Sequence, residues 1–440
     1  MAGAEASLSP VAASTRPGSN PTFVLGMLCF VYVLNFLDRQ LLSILAKPIQ
    51  DALQISDGQL GLISGLYFAM FYCFIAIPVG WFADRTSRVG VLSAACAIWS
   101  GATVACGMAA NYTQLVVARM VVGFGEAGGV PPSYAIITDT YPPGKRAAAL
   151  GIFNLGPAIG AAAGVAFGAA IAERFGWRIP FIAVGAIGIV TALAVWLTVR
   201  EPTRGATDVA ATPSIPSADD KAAFWPTVRM FLSHPVLMLA ALGSGATQFV
   251  TYGLGNFAVL FLMREKGMEL GDVAIWYALV LLIGMGGGMI VSGRVIDRMV
   301  RKSRAGYAVA PAISLAVAMP FYLAFVWAPG WPLALALLTV VMVFNYFYLS
   351  ASVALVQEEV KPNQRVLAGA LLLLIMNFIG LGLGPTWVGF ASDWFKAQGD
   401  LHGLQTALYT LTPFYVIAIG LFLWLARLLR REDGRQEIQA

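Results

Sequence analysis

Twelve long apolar stretches constrain the fold of this chain more than any other feature of its sequence. A helix that crosses a bilayer needs roughly 20 mostly apolar residues, and 58% of the 440 residues are hydrophobic while 12% are charged. The stretches lack the strict alternation of membrane strands, which favours helices. We therefore expect an all-α polytopic membrane protein with twelve transmembrane helices. The predicted spans cover residues 22–47, 58–83, 89–109, 113–139, 146–172, 179–199, 235–263, 271–294, 305–327, 332–357, 366–392 and 404–429.

The distribution of Lys and Arg predicts the orientation of these spans. The loops on the side of the two termini hold twenty of these cations, whereas the opposite loops hold six, Lys47, Arg174, Arg178, Arg264, Lys266 and Lys396. Because cytoplasmic loops carry the excess of Lys and Arg, both termini are predicted to be cytoplasmic. No long basic run accompanies the net charge of +5, so a nucleic-acid partner is not expected. Short tails and Ala/Gly-rich spans favour the inner membrane of a bacterium.

Composition divides the chain into two bundles. We expect a disordered cytoplasmic tail over residues 1–21, a first six-helix bundle over 22–199, a linker over 200–233, a second bundle over 234–430 and a short tail over 431–440. In the linker, Phe224, Val228, Phe231 and Leu232 recur at helical spacing, which predicts a helix at the membrane interface. A flexible linker is the alternative, because the segment is short for an isolated helix.

Two motifs recur at corresponding places in the bundles. Gly80-Trp-Phe-Ala-Asp84-Arg85-Thr-Ser-Arg88 follows span two, and Gly293-Arg-Val-Ile-Asp297-Arg298-Met-Val-Arg301 follows span eight. The pairs Gly156-Pro157 and Gly384-Pro385 also correspond. Such repeats are typical of secondary transporters built from two pseudo-symmetric halves. We expect the charged residues of the first motif to form cytoplasmic latches or gates: Asp84, Arg85, Arg88, Asp297 and Arg298.

The loop motif resembles that of the major facilitator superfamily. Three further segments are similar to motifs of the superfamily: Arg119 to Glu126, Gly151 to Gly160 and Arg200 to Arg204. Within it, Asn35-Phe-Leu-Asp38-Arg39, Gly123-Phe-Gly-Glu126 and Asp139-Thr-Tyr-Pro142 resemble the Spinster family, most of all its bacterial members. The resemblance implies transport of lipid-like cargo such as lysophospholipid or sphingosine phosphate. The organic-anion branch, which also has an Asp-Arg pair in span one, is the alternative.

Four ionisable residues, Asp38, Arg39, Arg119 and Glu126, lie inside spans one and four. Charges in hydrocarbon are costly and usually mark a pathway for ions or substrate. Arg119 and Glu126 share a helix face, whereas Asp38 and Arg39 point about 100° apart. We expect Asp38 to pair with Arg119 and Glu126 to lie further along the pathway. The four residues are candidates for proton coupling and headgroup binding, with a permanent structural ion pair as the alternative.

Polar and aromatic residues elsewhere predict an amphipathic cavity between the bundles. Charge gathers in the first bundle, whereas the second offers amides and aromatic rings, about half of which we expect to serve helix packing instead. The candidate cavity residues are Tyr32, Asn35, Gln248, Tyr252, Asn256, Asn345 and Tyr348. Small residues predict close helix packing at Gly156, Pro157, Gly160, Gly164, Gly384 and Pro385.

Several functions are excluded by missing patterns. No phosphate-binding G-x-x-x-x-G-K-[ST] loop occurs, so ATP hydrolysis is not expected to drive transport. No nucleophile-base-acid arrangement stands out, so an enzyme is not expected. The four cysteines and two histidines lack metal-site spacing, so we expect neither a metal nor another cofactor. The sequence predicts a monomeric, proton-coupled secondary transporter of an amphipathic substrate. The alternatives are a carrier of small organic anions and a membrane receptor without transport.

Overall fold

The computed structural model describes residues 20–83, 85–202, 224–361 and 364–439. Ten helices precede the linker: α1 (Pro21–Ile44), α2 (Ala46–Leu53), α3 (Asp57–Ser64), α4 (Leu66–Ala83), α5 (Arg88–Met108), α6 (Tyr112–Glu126), α7 (Val130–Thr140), α8 (Pro143–Phe153), α9 (Gly156–Phe175) and α10 (Arg178–Thr198). They form the N-terminal half. The predicted tail lies outside the described residues up to position 19, as do residues 203–223 of the linker.

The remaining described helices begin with α11, which belongs to the linker. They are α11 (Phe224–Ser233), α12 (Pro235–Glu265), α13 (Leu270–Asp272), α14 (Ala278–Leu281), α15 (Gly287–Val300), α16 (Gly306–Trp327), α17 (Trp331–Asn345), α18 (Phe347–Glu359), α19 (Arg365–Asn377), α20 (Gly384–Ala397), α21 (Gly403–Tyr409) and α22 (Thr412–Gln439). Helices α12 to α22 form the C-terminal half. π-Helical turns over Val273–Tyr277, Leu282–Gly286 and Phe378–Leu383 interrupt two of its spans. Residues 431–439, which were expected to form a short tail, continue α22.

Eleven helical stretches among the described residues are long and apolar enough to cross a membrane. The remaining predicted span, 113–139, is divided into α6 and α7 by a turn at residues 127–129. Gly128 and Gly129 lie in this turn, and Pro131 occupies the first turn of α7. Proline is tolerated there because backbone N–H groups in the first turn have no hydrogen-bond partner inside the helix. The break falls directly after Glu126. The all-α architecture of the prediction is confirmed.

Glycines bring helices within each half into close contact. A Cβ atom on Gly160 would lie 2.4 Å from the carbonyl oxygen of Val33, and one on Gly164 would lie 2.8 Å from that of Leu37, so α9 packs directly on the backbone of α1. Gly156 lies one turn earlier against the ring of Tyr32. In the C-terminal half, a Cβ on Gly384 would lie 2.4 Å from the carbonyl oxygen of Phe249 on α12. Pro157 and Pro385 are both buried beside these contacts.

The part of the linker next to the C-terminal half forms α11, as the helical spacing predicts. Thr227 and Phe231 are buried on one side of α11. Trp225 and Leu232 lie on another side and expose 74% and 52% of their surface. One face of the helix therefore packs on the protein, and the other is apolar and open.

Candidate functional site

Two ion pairs cross between α1 and α6. Nε of Arg39 lies 2.6 Å from Oε2 of Glu126, and Nη1 of Arg119 lies 3.9 Å from Oδ1 of Asp38. The second pair is the one expected from the sequence, although its separation exceeds hydrogen-bond distance. Glu126 does not lie beyond the pairs, as we expected, but is the partner of Arg39. The side chains of Asp38 and Arg39 leave α1 in different directions. Each therefore reaches a different residue of α6, where Arg119 and Glu126 are about 10.5 Å apart along the helix axis.

Three of the four charged residues are almost completely buried. Asp38 and Glu126 are 1% exposed and Arg119 is 2% exposed, whereas the side chain of Arg39 is 13% exposed. Thr103 on α5 donates a hydrogen bond of 2.9 Å to Oδ2 of Asp38. Among the described residues, Oδ1 of Asp38 and Oε1 of Glu126 accept no hydrogen bond. Each carboxylate therefore has an oxygen that can accept a further hydrogen bond or a proton.

Aromatic rings surround the two guanidinium groups. Cζ of Arg39 lies 5.0 Å from the ring centroid of Phe36, 5.2 Å from that of Phe68 and 4.6 Å from that of Tyr72. Cζ of Arg119 lies 5.2 Å from the ring of Phe68. Cations at these distances are attracted to the ring faces. The site therefore combines charge with apolar, polarisable surface.

The candidate cavity residues of the N-terminal half lie close to this site on α1. Tyr32 stacks on Phe153 with ring centroids 4.5 Å apart. Asn35 is 3% exposed, and its Oδ1 accepts no hydrogen bond from any described residue. Tyr32 thus contributes to packing, whereas Asn35 keeps an unused acceptor one turn from Asp38.

The candidate cavity residues of the C-terminal half divide into two groups. Asn345 exchanges hydrogen bonds of 3.0 and 3.1 Å with the hydroxyl of Tyr415, and Asn256 donates to the carbonyl of Tyr252 in its own helix. Both are engaged within the protein. Gln248 is 4% exposed, with no described partner for Oε1. Tyr252 is half-buried and Tyr348 is buried.

A charged cluster joins helices of the N-terminal half at what we call the Glu201 end. Arg88 forms an ion pair with Asp139 at the end of α7. Glu201 accepts hydrogen bonds from the hydroxyl of Ser87 at 2.7 Å and from the backbone N–H groups of Arg88 and Val89 at 2.9 Å. The carboxylate thus caps the N-terminus of α5, where negative charge is favourable. Asp84 lies outside the described residues, and Arg85 is exposed nearby.

A matching cluster in the C-terminal half uses residues that the repeat does not predict. Arg304 pairs with Glu359 at the end of α18, and Ser303 donates a hydrogen bond of 3.4 Å to Asp433. Among the described residues, neither Asp297 nor Arg298 forms a side-chain ion pair. Arg304 therefore occupies the position of Arg88, three residues beyond the Arg301 of the motif. Helix α15 continues to Val300, three residues past Asp297, whereas α4 ends at Ala83, and this displaces the paired arginine from the motif.

A third cluster, missed by sequence reasoning, joins the two halves at the opposite end, which we call the Asp57 end. The carboxylate of Asp57 accepts hydrogen bonds from Arg264 at 2.8 Å and from Ser392 at 2.6 Å, and it also pairs with Lys396. Asp393 accepts hydrogen bonds of 3.1 and 2.8 Å from the backbone N–H groups of Asp57 and Gly58. The Asp57 end is thus held closed by contacts across the halves.

Glu173 of the N-terminal half lies against the C-terminal half as Asp393 of the C-terminal half lies against the N-terminal half. A Cβ atom on Gly271 of α13 would lie 3.1 Å from Oε1 of Glu173 near the end of α9. Asp393 on α20 thus lies at the start of α3, and Glu173 on α9 lies at the start of α13. Each half places a carboxylate against a helix start of the other. The sequence contains one indication of the Asp57 cluster. Arg264 and Lys396 are two of the six Lys and Arg residues in the loops opposite the termini.

Comparisons with known proteins identify the family of this chain. Residues 28–385 match the Major Facilitator Superfamily. A protein of Mycolicibacterium smegmatis described as an MFS-type efflux pump is 31% identical over 416 residues, 94% of each chain. Protein spinster homolog 1 of Mus musculus is 25% identical over 449 residues, 95% of this chain and 82% of the mouse protein. The hexuronate transporter of Bacillus subtilis is 26% identical over 371 residues, 82% and 85% of the two chains.

A solved structure shows the same fold. It is a bacterial homolog of the human lysosomal transporter Spinster in an inward-facing, unoccupied conformation. The two structures superpose with a TM-score of 0.85 at 31% identity, over 93% of this chain and 98% of the other. The fold and family are those of transporters, which are not enzymes. The chain is therefore an integral membrane protein that belongs to the Major Facilitator Superfamily and, within it, resembles the Spinster proteins.

Proposed function

We propose that this transporter moves an amphipathic molecule with an anionic headgroup, such as a lysophospholipid or sphingoid phosphate, and that protons drive the transport. The crossed ion pairs carry this proposal. Each buried arginine has a carboxylate partner that an anionic headgroup can replace, and the carboxylate so released can take up a proton. We also propose that the Glu201 end is cytoplasmic, that both termini lie on that side and that the protein resides in a bacterial inner membrane, in line with the excess of Lys and Arg at that end.

Arg39 is the residue to which the headgroup would bind first. It is the most exposed of the four charged residues, and only one atom pair, Nε to Oε2, connects it with Glu126. A phosphate or carboxylate could pair with its remaining N–H groups in the bidentate manner that guanidinium favours. Protonation of Glu126 weakens the competing ion pair. Proton uptake and headgroup binding then support each other, which is the requirement for coupled transport.

The surroundings of Arg39 suit the hydrophobic part of such a cargo. The rings of Phe36 and Tyr72 lie beside the guanidinium group, and Tyr252 approaches it from the C-terminal half. A pocket of mostly aromatic surface with a few polar groups is the usual environment of a small amphipathic ligand. Gln248 supplies an amide oxygen without a described partner in the same half as Tyr252.

The clusters at the two ends supply the gate and the rigid bodies of alternating access. The contacts of Asp57 with Arg264 and Lys396 hold the halves together at one end. Hydrogen bonds and ion pairs between described residues at the Glu201 end stay within a half, so they can persist while the halves rotate. Rocking of two bundles about a central site is the common mechanism of this type of transporter. The structure's likeness to an inward-facing relative supports opening at the Glu201 end.

Transport in proteoliposomes tests the proposal. Uptake of labelled lysophospholipid, with and without an imposed pH gradient, is compared with uptake of a hexuronate and a small dicarboxylate. We expect gradient-driven uptake of the lipid, and we expect Glu126→Gln and Asp38→Asn each to reduce it by roughly 10². Asp51→Asn, at an exposed pair with Lys47, is the matched control. Undiminished gradient-driven uptake by both site variants would refute proton coupling.

Small organic anions are the second candidate cargo. The similarity to the hexuronate transporter of Bacillus subtilis favours it, and a carboxylate could bind Arg39 as a phosphate would. Gradient-driven uptake of the hexuronate or dicarboxylate without uptake of lysophospholipid would establish this alternative. Counterflow of labelled cargo separates both candidates from a receptor, because a receptor exchanges nothing across the bilayer.

A further inference from the structure

One aromatic ring contacts the cation of both ion pairs. The ring centroid of Phe68 lies 5.2 Å from Cζ of Arg39 and 5.2 Å from Cζ of Arg119. Phe68 is 1% exposed and belongs to α4, which contributes no charged member to either pair. A guanidinium within about 6 Å of a ring centroid is attracted by the ring. Phe68 therefore contacts the arginine of the Arg39–Glu126 pair and the arginine of the Asp38–Arg119 pair.

Gly123 fixes the position of this ring. A Cβ atom on Gly123 would lie 2.7 Å from the carbonyl oxygen of Phe68, so the backbones of α6 and α4 touch at this point. Gly123 lies one helical turn from Arg119 and about one turn from Glu126, hence between the two charges on α6. The Tyr72 ring stacks on Phe68 with centroids 5.6 Å apart and supports it from the next turn of α4. The aromatic ring is thus inserted at the level that separates the pairs.

We propose that Phe68 is a positioning residue that keeps the two ion pairs apart, so that a proton and a headgroup act on the Arg39–Glu126 pair without disturbing Asp38–Arg119. This inference rests on the proposed proton coupling. Charges a few ångströms apart in a medium of low dielectric constant interact strongly. Without a spacer, both guanidiniums would share both carboxylates, and the two acidic groups would exchange protons as one coupled network.

Loss of the spacer therefore uncouples cargo movement from proton movement. In the separated arrangement, release of Glu126 from Arg39 leaves one carboxylate free to bind one proton. In a merged arrangement, Arg119 moves toward the released carboxylate and neutralises it without a proton. Cargo could then still cross the membrane down its own gradient, but a pH gradient would no longer drive its accumulation.

Two transport assays on the same proteoliposomes measure this separation. Gradient-driven accumulation of lysophospholipid depends on coupling, whereas counterflow at equal pH needs only binding and reorientation. For Phe68→Leu, which removes the ring, we expect the ratio of accumulation to counterflow to fall at least about fivefold. Phe68→Tyr keeps the ring face and should retain the ratio within about twofold. Gly123→Ala keeps the ring but displaces it, and should lower the ratio as Phe68→Leu does.

Phe36→Leu is the matched control, because the Phe36 ring lies over Arg39 without contacting Arg119. We expect lost packing to lower both assays and the ratio to stay within about twofold of the unmodified protein. An unchanged ratio in Phe68→Leu overturns the inference. If Phe68→Leu does not fold, an unchanged ratio in Gly123→Ala overturns it. Glu126→Gln distinguishes the two levels, because gradient-driven accumulation by that variant would refute the proposed coupling itself and not only the role of Phe68.

Discussion

Between described residues, the ion pairs at the Glu201 end join helices of one half, whereas at the Asp57 end the pairs of Asp57 with Arg264 and Lys396 join the two halves. The Arg88–Asp139 and Arg304–Glu359 pairs each connect helices of one bundle. The Arg264–Asp57 pair connects α12 with α3, hence one bundle with the other. This contrast separates the contacts that hold each half together from those that connect the halves. Under the proposed alternating access, contacts within a half can remain while the halves rock, but those between halves have to open once in every cycle.

The largest effect is expected from Asp57→Asn. The carboxylate of Asp57 is buried and neutralises Arg264 and Lys396, which are partly exposed. Its loss should favour opening of the Asp57 end by about 2 to 3 kcal/mol, or roughly 30- to 150-fold in the ratio of the two conformations. Accessibility of a cysteine introduced near position 268 to a membrane-impermeant reagent measures this ratio. Unchanged accessibility would show that the Asp57 contacts are not the gate.

An intermediate effect is expected from Arg304→Gln in the C-terminal half. The variant leaves the half-buried Glu359 without its arginine, which should cost about 1 to 2 kcal/mol of stability. Thermal unfolding in detergent should show a lower midpoint, while labelling at the Asp57 end should not change. Arg298→Gln is the matched control and should cost less than about 0.5 kcal/mol. A larger loss of stability in Arg298→Gln than in Arg304→Gln would support the latch at Asp297 and Arg298 that the sequence repeat predicts.

The smallest effect is expected from Asp393→Asn and Glu173→Gln, which each remove a carboxylate at a helix start of the other half. Such a charge contributes about 0.3 to 1 kcal/mol, so each variant should favour opening of the Asp57 end by roughly two- to fivefold. Both should act in the same direction in the cysteine-labelling assay. Asp51→Asn, whose carboxylate stays within α2, should have no effect. Opposite directions for the two variants would disprove their equivalence.

The sequence predicts the spans well because lipid imposes a single requirement of length and apolarity on each of them. It also predicts which charges are exceptional, because Asp38, Arg39, Arg119 and Glu126 interrupt apolar stretches. Their pairing is less accessible, since it depends on the rotation of α1 relative to α6. Charge restricts Asp38 to Arg119 and Arg39 to Glu126, but whether Arg39 reaches Glu126 at all depends on a rotation that the hydrophobic pattern does not specify.

The latch of the C-terminal half shows a different limitation. The motif repeat aligns Arg301 with Arg88, but contacts in space select Arg304. A second signal was present in the sequence: Ser87-Arg88 precedes α5 as Ser303-Arg304 precedes α16. The hydroxyl of each serine donates a hydrogen bond to a carboxylate near the end of its half, Glu201 just after α10 or Asp433 in α22. The serine-arginine pair at a helix start is thus a better guide than the spacing from the preceding aspartate.

The pairing of each arginine with one carboxylate has an electrical consequence. With both pairs formed, the formal charges of Asp38, Arg39, Arg119 and Glu126 cancel. An elementary charge that crosses the membrane gains or loses about 2.3 kcal/mol per 100 mV, so the empty carrier would reorient without this term. Under the proposed coupling, one proton and one monoanionic headgroup also cancel. The membrane potential would then drive neither step, and the pH gradient together with the cargo's own gradient would set the direction of transport.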